Sequence, residues 1–482
     1  MGIKKNIFYS TVLTTSNYIF PLLVYPYVAR VLGVTNIGLC NFIDNIINYF
    51  ILFSMMGINI MGNRQIASDR ATGASLNQSF SNLFTLNGIT TVIALGILVA
   101  LTLTIPTLRE NHEMMWFGAI KLISNFLLIE WFYKGIENFR YITIRTICVK
   151  TLYVIAVFLC VRKSSDYMIY YLLTVLMVSA NALVNTYHSR KFVSFSLKGI
   201  SFALILRPFL LLGVYMLVTS LCTSFNVVFL GFVTNDTQVG YYTTATKLYS
   251  IMLAFFTGVT SVMLPRMSNL IASGLHEEFK QLLKNTTTLL FAFSIPIIIL
   301  STIFAPQIIL LISGPGYEGA ITPMRIVMPL MLIIGYEQII IIQGLMPLKS
   351  DKAIMFNSSA GALVSIALNI ILVHNLKSIG SAIAWLSSET VILILSQIVL
   401  TKQIHVLFPI KQLLRNILAY IPLAAILVTV YFTIDPAIYW LYLIIAGIVT
   451  LTYSVVIQLY WLKNKLITKF LSEVKNKLKN KL

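Results

Sequence analysis

The stretch Ala29-Arg30-Val31-Leu32-Gly33-Val34-Thr35-Asn36-Ile37-Gly38-Leu39 joins two apolar runs, residues 7–31 and 37–61. Each run has about the 20 residues that a helix needs to cross a bilayer. A short Leu-Gly turn containing Thr35 and Asn36 lies between them, so the chain reads as two membrane helices joined at one face. The same alternation continues outward to the end of the sequence. Of the 482 residues 58% are hydrophobic and 11% charged, and the mean hydropathy is +0.86, far above that of an ordinary soluble domain. Between the runs there is too little polar sequence for a soluble catalytic domain, a nucleotide-binding P-loop or an ATP-driven motor. The formal charge of +19 sits in short clusters between apolar runs, which excludes a nucleic-acid reader.

Apolar runs bounded by charge, Gly or Pro number fourteen: 7–31, 37–61, 80–104, 114–132, 141–161, 167–187, 207–233, 241–264, 287–312, 321–344, 353–374, 379–400, 417–433 and 438–462. A missed or invented span would invert the sidedness of every later loop and scramble the basic residues between the two faces. They are not scrambled. Of the 35 Lys and Arg, 26 fall on the amino-terminal side, among them Lys4, Lys5, Arg64, Arg70, Lys134, Arg140, Arg145, Lys191, Lys198, Lys280 and Lys284. Only Arg30, Arg109, Arg162, Lys163 and Lys377 fall opposite. The expectation is an all-α polytopic membrane protein with both termini cytoplasmic and the first span retained. Outer loops are too short to host an acceptor site, which argues against a membrane enzyme. The tail, Lys463 to Lys481, has apolar residues at helical spacing and reads as a basic amphipathic helix on an anionic leaflet. The four cysteines, Cys40, Cys148, Cys160 and Cys222, form no CxxC pair and read as packing residues.

Val31-Leu32-Gly33 followed by Ile37-Gly38-Leu39 is echoed by Phe229-Leu230-Gly231 followed by Val239-Gly240-Tyr241-Tyr242. Six spans separate the copies, so two halves of like orientation are expected, with a path between them. The segment Pro26-Tyr27-Val28-Ala29-Arg30-Val31-Leu32-Gly33, with Met56-Gly57-Ile58-Asn59 and Asn63-Arg64-Gln65-Ile66-Ala67, resembles the amino-terminal signature of bacterial polysaccharide-repeat flippases. Gly240-Tyr241-Tyr242-Thr243-Thr244-Ala245-Thr246-Lys247-Leu248, Leu264-Pro265-Arg266 and Ile379-Gly380-Ser381-Ala382-Ile383-Ala384-Trp385 resemble that family as well. Cys40 departs from the aromatic or small residue that the family often has there. The resemblance implies the multidrug/oligosaccharidyl-lipid/polysaccharide exporter (MOP) fold: two six-helix lobes in a V, as in MATE transporters, with two helices appended. It divides the chain into residues 1–198, 199–402 and 403–482. It also implies the cargo, an undecaprenyl-diphosphate-linked oligosaccharide such as an O-antigen or capsule repeat unit. A bacterial inner membrane and partners such as a polysaccharide polymerase and glycosyltransferases follow from the same source.

A charged side chain at hydrocarbon depth is costly unless it faces a wet cavity or a partner, so each one is a functional candidate. Asp44, Lys121, Lys247 and Arg325 are expected in the outer half of the membrane, Lys150 and Glu389 near its middle, and Glu130 and Glu337 toward the cytoplasm. Glu130 and Arg325 lie near enough to span ends to snorkel. Polar stripes accompany them at helical spacing: Ser10, Thr14, Asn17 and Pro21; Asn41, Asp44, Asn45 and Asn48; Ser381, Trp385, Ser388 and Glu389. Such stripes suit a hydrated cavity that accepts sugar hydroxyls, and they equally suit hydrogen bonding between helices. Lys121, Lys150, Lys247 and Arg325, with Asn41 and Asn45, are the candidates for holding the diphosphate and sugars. Asp44, Glu389 and Glu337 are the candidates for coupling to H⁺ or Na⁺, with no cofactor expected. Pro21, Pro26, Pro296, Pro306 and Pro329 remove backbone hydrogen bonds and permit the bending that alternating access needs. Two rival functions share the composition: a drug or cation antiporter of the same fold, and a non-transporting scaffold of an envelope-assembly complex.

Overall fold

Inside a bilayer no water is present to satisfy backbone polar groups, so apolar runs must pair their N–H and C=O groups within the segment. The computed structural model follows that rule: its described residues, 3–464 and 468 apart from 204, 222–223 and 434–437, form helices and connecting turns with no strand among them. Most of the expected tail helix and Cys222 lie outside the described residues. Among the described residues ten helices are long and apolar enough to cross a membrane, or eleven if the pair Leu206–Leu221 and Ser224–Val233, bent by 56°, is one span. The protein is a multi-pass membrane protein. Fourteen spans were expected; separate helices are fewer because two expected pairs each run together as one long helix, and the helix Asp236–Ala272, over the expected span 241–264, is not among those counted.

Two compact units divide the chain, Met1–Gly240 and Tyr241–Leu482. In the first, α1 (Ile3–Met55) breaks at Gly33, where φ 77° and ψ 167° lie outside helical space. Only glycine takes that φ without a Cβ penalty, so the Leu-Gly turn holds two spans at a sharp junction. α2 (Ile58–Thr72), α3 (Leu76–Thr104), α4 (Pro106–Glu110) and α5 (His112–Leu127) follow, then α6 (Glu130–Gly135), α7 (Phe139–Cys160), α8 (Tyr167–Ser189), α9 (Leu206–Leu221) and α10 (Ser224–Val233). α1 packs on α3, α5 and α7, and α5 lies along α8. The echoing turns meet here. Thr35 and Thr237 share a hydroxyl–hydroxyl hydrogen bond of 2.9 Å, and a Cβ on Gly38 would strike the Asp236 carbonyl.

The second unit holds most of α11 (Asp236–Ala272), then α12 (His276–Ile303), α13 (Ala305–Ser313), α14 (Ile321–Val327) and α15 (Leu330–Gln338). A π-helical stretch, Ile339–Leu345, extends α15. α16 (Asp351–Ile404) breaks at Lys377, with φ 51° and ψ −126°, and α17 (Ile410–Phe432) and α18 (Tyr439–Val456) complete the unit. Phe279, Leu290, Phe291, Tyr336, Tyr420 and Leu427 anchor its core. Leu and Ile side chains exposed on both units, such as Leu152, Leu183, Leu363 and Ile371, are the surface that lipid tails would cover. Cys40 is buried, as expected of a packing residue, but Cys148 and Cys160 are exposed on α7. An apolar thiol is as stable against lipid as in a core, so its composition alone does not fix which way it points.

Candidate substrate and coupling sites

In the first unit the second arm of α1 carries Asp44, and α5 brings Lys121 against it in an ion pair. The Lys121 side chain is 13% exposed and that of Asp44 34%. Asn48 donates to the other carboxylate oxygen at 3.5 Å. Asn41 and Asn45 donate back to the carbonyls of Ile37 and Asn41, at 2.7 and 2.8 Å. The polar stripe on α1 is therefore partly spent on its own helix, and two expected site residues of opposite role, Asp44 and Lys121, neutralise each other.

Lys150 is held differently. Its ammonium donates to Asn17 Oδ1 at 2.6 Å and lies 5.7 Å from the Phe20 ring centroid. Both partners sit on the first arm of α1, and both are neutral. The ammonium is supported by an amide oxygen and an aromatic face.

A third cation in this unit departs from the sequence expectation. Arg145, read as an inner-face residue, is buried in α7 with its side chain 5% exposed. It donates to Asn181 Oδ1 at 2.7 Å and lies 3.6 Å from Glu130, which also pairs with Lys134 at 3.2 Å. Glu130 thus bridges two cations and does not merely reach for the interface. It opens α6 because the chain breaks at Ile129, a non-glycine residue at φ 38°. The carbonyls freed by that break are captured by α8: Thr186 donates to Leu127 O at 2.9 Å and Asn185 donates to Leu128 O. Tyr133 in turn donates to the Asn185 carbonyl at 2.6 Å. The position of Arg145 a turn and a half inside an apolar run was the available signal for its burial.

The second unit contains the remaining candidates. Lys247 is half-buried on α11, after the buried Thr243 and Thr244. Arg325 is exposed and donates to the Thr302 carbonyl at 3.1 Å, consistent with a side chain that snorkels. Glu337, at the end of α15, and Glu389, on the second arm of α16, come close enough for their carboxyl groups to interact. Two carboxyl groups held this close repel when both are ionised, so the pair favours carrying a proton. Trp385 donates to Glu389 Oε1 at 2.9 Å, and Tyr249 meets the Trp385 ring edge-on, with centroids 5.3 Å apart. Tyr249 Oη and Glu337 Oε2 are buried with no hydrogen-bond partner among the described residues. Beside them Gln338 accepts from Thr260 and donates to Thr257, both at 3.2 Å. The stripe on α16 faces inward: Ser381, Trp385, Ser388 and Glu389 are all buried, and Ser381 donates to Asn369 at 3.2 Å. Among the described residues no three His, Cys, Asp or Glu side chains gather as metal ligands.

Residues 3–271 match the family model described as polysaccharide biosynthesis protein. The chain belongs to that family. An Escherichia coli (strain K12) protein provisionally named an O-antigen transporter is 25% identical over 407 residues, covering 81% of this chain and 95% of its own length. A Shigella dysenteriae protein with the same provisional name is 24% identical over 273 residues, 55% of this chain and 68% of its own. Among solved structures, the lipid II flippase MurJ in an inward closed conformation superposes with a TM-score of 0.75 at 16% identity, covering 94% of this chain and 99% of that one. An inward-facing multidrug resistance MATE transporter of the MOP superfamily gives 0.66 at 14% identity, over 80% and 94%. At such identities the likeness is one of fold. The fold is the one shared by the MurJ and MATE structures.

Proposed function

We propose that this transporter moves an undecaprenyl-diphosphate-linked oligosaccharide, an O-antigen or capsule repeat unit, from the cytoplasmic to the outer leaflet of a bacterial inner membrane by alternating access. Lys150 carries this reading. It is a cation within a membrane helix, held by the neutral Asn17 and Phe20, so its charge remains available to an anionic head group. Lys247 is assigned the same role in the second unit. Lys121 is set apart from Lys150 by its pairing with Asp44. Coupling is assigned to Glu337 and Glu389, a close carboxyl pair that takes up and releases a proton, or exchanges it for Na⁺, during resetting. The relatives named as O-antigen transporters support the cargo, and the lipid II flippase fold supports a lipid-linked one. The reading is tested in a strain lacking the transporter. Lys150→Arg should restore surface polysaccharide, and Lys150→Ala at normal membrane abundance should not. Full restoration by Lys150→Ala together with Lys247→Ala would remove the diphosphate assignment.

One observation favours a second reading, export of an organic cation: the buried carboxyl pair lies beside Trp385 and Tyr249, a setting that also suits a cationic drug. Unchanged drug susceptibility in the deletion strain, with loss of surface polysaccharide, separates the two.

A further inference from the structure

At the end of the second unit where α12 begins and α16 gives way to α17, a cavity of about 270 Å³ lies between these elements and the junction of α15 with the π-helical stretch. Leu283, Ile339, Ile340, Leu400, Val406 and Leu407 make it apolar. Its polar wall groups are already engaged: Thr287 donates to Leu283 O at 2.9 Å, Tyr336 to Gln397 at 2.9 Å and Gln412 to Thr288 at 2.6 Å. Such a well offers nothing to a polar solute. Lys280 and Lys284, one turn apart on the first turns of α12, add two cations to the same lining. Lys280 pairs with Glu277 at 3.0 Å, but Glu277 is 89% exposed, and a pair so open to water contributes little and is readily exchanged.

An apolar well with a cationic lining at the interfacial end of membrane helices matches one class of molecule, an acyl chain joined to an anionic phosphate. A free phosphate would have no use for the well, and a neutral hydrocarbon none for the lysines. We propose that this cavity holds an anionic membrane phospholipid, with an acyl chain against Leu283, Ile340 and Leu400 and its phosphate on Lys280 and Lys284. The site lies wholly within the second unit and does not depend on the transport cargo. A lipid seated there bridges the start of α12, the end of α16 and the start of α17, and so braces three helix ends that no side-chain ion pair joins among the described residues.

Binding of dioleoyl phosphatidylglycerol and dioleoyl phosphatidylcholine to the purified full-length protein, counted by native mass spectrometry, tests this. Phosphatidylglycerol should be retained preferentially. Lys280→Gln with Lys284→Gln should weaken its binding about tenfold, whereas Lys349→Gln with Lys352→Gln, an equal loss of charge outside the cavity, should change it by less than about twofold. Glycerol 3-phosphate, which has the head group without the chains, should fail to displace the lipid. Equal retention of the two lipids, equal weakening by both lysine pairs, or displacement by glycerol 3-phosphate would each overturn the assignment.

Discussion

Lys121 and Lys150 are the same residue type, yet what holds them gives them different consequences. Lys121 faces the Asp44 carboxylate, so Lys121→Ala leaves a half-buried anion without its partner, at a cost of roughly 1–3 kcal/mol. Lower folded yield is expected, with recovery on adding Asp44→Asn, as read by fluorescence-detected size exclusion. Lys150→Ala removes a charge held by neutral groups, so yield should hold while polysaccharide export falls by about tenfold or more, a barrier change near 1.4 kcal/mol. Glu337→Gln and Glu389→Gln keep size and hydrogen-bonding capacity but remove the exchangeable proton. Each should flatten the pH dependence of transport in proteoliposomes, and an unchanged profile in both would exclude the pair as the coupling site. These distinctions were only partly legible in the sequence. Buried charge announces itself within an apolar run, which is why Asp44, Lys121, Lys150, Glu337 and Glu389 could be named. Its partner does not, because the Lys121 partner lies 77 positions away and the Lys150 partner 133, and helix rotation decides the match.

At the scale of helices, the junctions set where these side chains stand. Gly33 occupies φ 77° with no heavy atom within 4 Å of the place a Cβ would take, so Gly33→Ala strains the backbone alone. A loss of about 1 kcal/mol is expected, visible as a lower melting temperature in detergent. The α5–α6 break is of another kind. No Gly or Pro marks Ile129; Asn185 and Thr186 of α8 hold the break open by bonding its freed carbonyls. Asn185→Leu should therefore destabilise by about 1 kcal/mol and displace Glu130 from Arg145. That explains why the sequence reading saw one span over 114–132, whereas the Leu-Gly turn, whose cause is local, was legible. It also explains the placement of Arg145 outside the membrane: its burial depends on Asn181 and Glu130, which come from other elements.

For the whole molecule, composition and charge carried most of the reading. Apolar runs demand helices, and the asymmetry of Lys and Arg orders their loops. Topology follows as a prediction: single cysteines near Arg109, Lys163 and Lys377 should react with an impermeant thiol reagent in intact cells, and those in 190–198 should not. The cargo itself was legible only through resemblance, since a lipid diphosphate and its sugars ask for cations and hydroxyl partners that many membrane proteins possess. The most direct measurement follows an undecaprenyl-diphosphate oligosaccharide placed on one leaflet of proteoliposomes, using a hydrolase confined to the opposite side. Wild-type protein should expose the lipid to the hydrolase, and Lys150→Ala with Lys247→Ala, reconstituted in equal amount, should do so no faster than empty vesicles. Equal exposure by the wild type and the double variant would contradict the charge-guided mechanism. No exposure by the wild type, with protein inserted and folded and the proton or sodium gradient varied, would contradict the flippase reading itself.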